Sequence, residues 1–171
     1  MKSIKFLKSG AGFTLIELIL YVALVTIVLS ALVPFAWNMV QTGVKSAVAQ
    51  EVNANARYIS ERIKYEIRSA TGINSVTSSS ISLSTSTAGT NPTIIDLTGG
   101  NIRIKQGADS AVNLNSTNIV INNLTFTNYT SSDNKTKHIQ FTMTIAASFA
   151  AARQEYQDSV VVESSSEVRN N

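Results

Sequence analysis

The chain has 171 residues, 14 basic and 11 acidic side chains, a formal charge of +3 and no cysteine. That length accommodates one ordinary domain plus a membrane segment. The missing cysteines exclude a disulfide framework and a thiolate metal site. Three of the basic residues (Lys2, Lys5 and Lys8) precede Gly12, so eleven basic residues face eleven acidic ones beyond it. The balance after the leader argues against a polyphosphate-binding face, which needs clustered Lys and Arg.

Phe13 to Trp37 is a run of 25 residues with one charge, Glu17. As a helix it extends about 37 Å, enough to cross a hydrocarbon core of about 30 Å with some tilt. The lysines ahead of it put the N-terminus on the cytoplasmic side and residues from about 40 onward outside. Phe35 and Trp37 suit the far interface. A carboxylate inside such a run costs roughly 2.5–3.5 kcal/mol on insertion scales, so Glu17 calls for a partner. Pro34 has no N–H and removes the helical bond to Ser30, which predicts a kink or a local break. A cleavable secretory signal has only a faint cleavage candidate at Val28-Leu29-Ser30, and neither it nor a plain signal anchor accounts for Gly12 and Glu17.

The basic leader, Gly12-Phe13-Thr14-Leu15-Ile16-Glu17, the uninterrupted apolar run and Pro34 at the twenty-second position after Gly12 together resemble type IV prepilins and pseudopilins. The resemblance implies that a prepilin peptidase cuts between Gly12 and Phe13 and methylates the new N-terminus at Phe13. It also implies that Glu17 sets the assembly register by meeting the N-terminal amine of a neighbouring subunit. Implied partners are the peptidase, other pilin or pseudopilin subunits through the N-terminal helix, an inner-membrane assembly platform and the lipid bilayer. Implied location is a bacterial or archaeal-type cell membrane, single-pass, followed by a pilus or pseudopilus. No nucleic acid, cofactor or metal is expected for this subunit. Many major pilins close a C-terminal loop with two cysteines, and their lack here points towards a minor pilin or a type II secretion pseudopilin.

Beyond Trp37 the apolar positions Val40, Val44, Val48, Val52, Ile59, Ile63 and Ile67 form one helical stripe. Glu51, Arg57, Glu61, Arg62, Lys64 and Glu66 read as its solvated side. The helix is expected from Phe13 to Ala70, about 87 Å, stopping at Gly72. From Ile73 the pattern alternates with period two. Expected strands cover Ile81–Leu83, Ile94–Leu97 and Ile102–Ile104 with a Gly99-Gly100 hairpin turn, Val112–Leu114, Asn118–Asn128, Lys137–Ile145 and Gln154–Val162. Asn122-Asn123 marks a bulge or a break. Thr77–Thr90 is low in complexity, with its Ile81/Leu83 alternation favouring an edge strand, and Ser164–Asn171 reads as a frayed tail. The expected fold is α+β: leader 1–12, assembly helix 13–37, amphipathic half 38–71 and a β-rich head 72–171 on one antiparallel sheet.

No catalytic site is legible. His138 lies on the strand face opposite Ile139, Phe141 and Met143, with no acidic residue within three positions. Asp133-Asn134 and Asp109 lack calcium-loop spacing. Gly99-Gly100 lacks the lysine and helix of a phosphate loop. Asn-x-Ser/Thr triplets at Asn115, Asn123, Asn128 and Asn134 are given no role. A nucleic-acid face would need a basic stripe, and Arg103 and Lys105 on one strand with Lys135 and Lys137 elsewhere are too little to decide it. The expectation is therefore a structural subunit, not an enzyme. The alternative is a signal-anchored extracytoplasmic adhesin or enzyme with an uncleaved helix.

Overall fold

The computed structural model describes residues 12–133, 135–149 and 153–169. The leader lysines and Asn134 lie outside these. Helix α1 runs from Leu15 to Ser69 without interruption, Pro34 included. Contacts divide the chain after Gln41, and each unit is taken by itself.

Within the unit from Thr42, α1 buries Val48, Val52, Ala56, Ile59, Ile63 and Ile67, with Val44 partly covered. Spacings of three and four place these on one face. Val40 is exposed and does not join them. Two members of the expected solvated side do not behave so. Glu66 is buried, and Glu51 is half-buried, its Oε1 accepting from Ser116 Oγ and Asn118 Nδ2, both at 3.2 Å. The helix stops at Ser69 rather than through a glycine cap. Gly72 already opens a strand, and the Thr71 N–H is taken by Ser84 O at 2.8 Å.

Eight strands follow: β1 (Gly72–Val76), β2 (Ser80–Ser84), β3 (Thr93–Thr98), β4 (Asn101–Gln106), β5 (Val112–Asn113), β6 (Ile119–Asn128), β7 (His138–Ala147) and β8 (Ser159–Glu167). All pairings are antiparallel. They make two sheets, β1-β2-β3-β4-β5 and β6-β7-β8, where the pattern had predicted one. The division is invisible to alternation because strands of both sheets turn one face to the same core. β2 is flanked by β1 and β3, so the low-complexity segment supplies an interior strand and not an edge.

Gly99 and Gly100, both at positive φ (58° and 76°), close the β3–β4 hairpin. In β6 the register shifts between Ile121 and Asn123, so the sequence break is a bulge within one strand. That bulge lets Ile119, Ile121, Leu124 and Phe126 all face inward despite their odd spacing. Ile139, Phe141, Met143 and Ile145 of β7 are fully buried. The expected tail is also corrected. β8 runs to Glu167, Ser166 and Val168 are buried, and the Val168 N–H bonds Lys137 O at 2.9 Å. The preceding Gln154–Tyr156 is a single 3-10 turn.

Candidate functional site

Gly12, Phe13 and Thr14 precede α1, so the helix begins two residues later than the apolar run. Thr14 is its N-cap. Thr14 Oγ1 accepts from the Glu17 N–H at 3.3 Å and Thr14 O from the Leu18 N–H at 3.2 Å. Thr14-Leu15-Ile16-Glu17 is the Thr-x-x-Glu capping pattern, a signal present in the sequence and passed over there. The cap holds Glu17 in the first helical turn, where a negative charge is favoured by the helix dipole. Gly12 is exposed, with nothing within 4 Å of where a Cβ would stand.

From Phe13 to Val40 nearly every large apolar side chain is exposed, Phe13 at 80% and Leu15 at 77%. Among the described residues, one helix is long and apolar enough to cross a membrane. Its hydroxyls bond to its own carbonyls: Thr26 Oγ1 to Val22 O and Ser30 Oγ to Ile27 O, both 2.8 Å. Such self-satisfaction removes the cost of placing them in lipid. Glu17 is then the charge that stands out against this surface. The motif residues Gly12, Phe13 and Glu17 lie together at the head of the helix, and Pro34 lies five turns further on.

In the head, chemistry-bearing side chains are tied into structure. Glu66 Oε1 accepts from Arg62 Nη2 at 2.7 Å and from Gln106 Nε2 at 3.5 Å, joining α1 to β4. Burial raises the Glu66 carboxyl above its ordinary range, against the pull of Arg62. Its place among Ile59, Ile63 and Ile67 is the helical spacing that marks it as inward-facing. Arg103, noted as a possible nucleic-acid contact, grips Asp96 across β3–β4 through two bonds of 2.9 and 2.8 Å. Asn115 is buried. Its Oδ1 accepts from the Ile102 N–H at 3.0 Å, and its Nδ2 donates to Asn101 Oδ1 at 2.9 Å and Ile119 O at 2.8 Å. It ties β4 to the start of β6, a role that no local pattern announces.

His138 is half-buried on β7. Among the described residues no three His, Asp or Glu side chains stand close enough to hold a metal. At the helix start the exposed Gly12 and Phe13, the Thr14 cap and the Glu17 carboxylate lie within six residues. Set against known protein families, characterised proteins and solved structures, the chain matches none.

Proposed function

We propose that the chain is a type IV pilin-like structural subunit, a minor pilin or a secretion pseudopilin. In this reading a prepilin peptidase cuts after Gly12 and methylates Phe13. The protein crosses the membrane once, with its N-terminus cytoplasmic and its head outside, and leaves it by joining a fibre helix-first. Glu17 pairs with the amine of a neighbouring Phe13, because two unpaired charges in hydrocarbon are costly.

One observation carries the reading. The Gly12–Glu17 motif sits at the start of an exposed apolar helix whose later turns pack on antiparallel strands. The motif is the specific part, and the helix-on-sheet head is compatible with pilin architecture. The Thr14 cap adds to it by holding Glu17 in the first turn before any neighbour arrives.

The test is mass spectrometry of the N-terminal peptide in sheared surface fibres and in membranes. Chains beginning with methylated Phe13, at trace level in fibres or in membranes alone, are expected, and Gly12→Val should leave them uncut. Abundant mature chains in fibres would make it a major pilin. Chains still beginning at Met1 beside an active prepilin peptidase would sink the pilin reading and favour an anchored adhesin or enzyme.

A further inference from the structure

The four sheet edges of the head are not alike. β1 is five residues long and carries a bulge between Ile73 and Ser75. β5 has two residues. The outer side of β6 is closed by the hairpin tips of the larger sheet, through Phe126 N–H to Ser78 O at 2.9 Å and Ile121 N–H to Gly100 O at 2.9 Å. Bulges, short strands and covering segments are the usual protections of an edge. Among the described residues, β8 has none of these. It is nine residues long and pairs with β7 in unbroken register.

The hydrogen-bonding parity of β8 follows from its ends. Val168 N–H bonds Lys137 O, and Ala147 N–H bonds Asp158 O, each at 2.9 Å. Both pairs fall in the β7–β8 register, so Val160, Val162, Ser164 and Ser166 turn their backbone groups to β7. Val161, Glu163 and Ser165 turn theirs to the open side, where no backbone bond to a described residue is found. Their side chains lie on the exposed face. The side chains of Val160 and Val162 face α1, across a groove of about 470 Å³ whose helical lining is Asn53, Ala54, Ala56, Arg57, Ser60 and Glu61. An added strand would find both of its needs here: amides along the edge that no described residue takes, and a groove beside α1 for its inward side chains.

Charge decides the occupant. The exposed face of β8 carries Glu163 and Glu167 with no basic residue between them. Antiparallel pairing of two β8 strands in the longest register sets Glu163 against Glu163, and parallel in-register pairing stacks the same carboxylates. Like charges directly opposite are destabilising, so a second β8 is disfavoured. We propose that the β8 edge is a docking site for an extended basic segment of another polypeptide. That segment adds as a fourth strand to β6-β7-β8, with Lys or Arg beside Glu163 and Glu167 and small apolar side chains in the groove over α1.

The test uses the full chain in detergent and an end-blocked nine-residue peptide at millimolar concentration. The peptide has lysine at its first and fifth positions, valine at its sixth and eighth, and threonine elsewhere, so that antiparallel pairing sets the lysines beside Glu167 and Glu163 and the valines beside Val162 and Val160. Hydrogen exchange is read at Val161, Glu163 and Ser165. At about ten times the dissociation constant, mass action slows these amides about tenfold. The glutamate version of the peptide should leave them unchanged. Val161→Pro removes one outward N–H that no described residue uses, and Pro is tolerated at strand edges. It should abolish the slowing while circular dichroism stays as in the parent chain. Glu163→Lys should weaken it without touching the backbone. The proposal is overturned by any of three results: no slowing, equal slowing by the glutamate peptide, or a peptide-free dimer that protects the same amides.

Discussion

At Glu66 a carboxylate with 3% exposure is held by Arg62 and Gln106, and burial still outweighs the pull of Arg62. The raised value sets the direction of a pH dependence. Well below the ordinary carboxylate range, Glu66 is protonated both folded and unfolded, and its full contribution is present. As the pH climbs through that range the unfolded carboxyl ionises first while the folded one keeps its proton. Stability is therefore lost until the folded group also ionises. Glu66→Gln should remove this decline, so that the variant gains on the parent chain as pH rises through and just above the ordinary carboxylate range. Denaturant titrations of both full chains in detergent at several pH values measure the difference. Arg62, a third exposed, can turn its released guanidinium to water. A variant that loses ground steadily as pH rises would mean that the ion pair outweighs the burial.

Among the elements, the turns show where backbone geometry and packing act together. Gly107 has φ near 54°, and a Cβ there would meet Gly89 O at 2.2 Å, a backbone atom that cannot swing aside. Gly99 has φ near 58° with open space around it. An alanine at Gly99 pays for the left-handed conformation alone, about 1–2 kcal/mol. Gly107→Ala adds displacement of the Ala88–Thr90 turn and should cost about 3 kcal/mol or more. Urea unfolding of the two variants compares them directly, and equal losses would show that the turn moves freely. At the same scale, β8 runs past the strand expected to end at Val162. Its second half is Glu163-Ser-Ser-Ser-Glu167, which has no apolar alternation to mark it. Pairing with β7 makes those residues a strand.

For the whole molecule, the division after Gln41 separates two surfaces that want different solvents. Among the described residues, the buried apolar cluster runs from Val48 to Val168, with Val44 packed against it. A chain from Thr42 to Asn171 should therefore fold alone, stay in solution and unfold cooperatively with a stability in the usual range of about 5–15 kcal/mol. Thermal circular dichroism and sedimentation test this, and aggregation or a broad transition would show that the head needs the rest of α1. Sequence by itself determined the apolar run, the position of Glu17 in it, the inward stripe of α1, the Gly99-Gly100 hairpin and the strand at β7. Each is a local pattern whose period or turn chemistry is complete within a few residues. Only the tertiary structure decided that the strands divide into two sheets, that β2 is interior, that Asn115 is buried, and that β8 continues through serines to an open edge. Those outcomes depend on which strand lies beside which, and pairing between segments far apart in the chain leaves no mark in the period of either one.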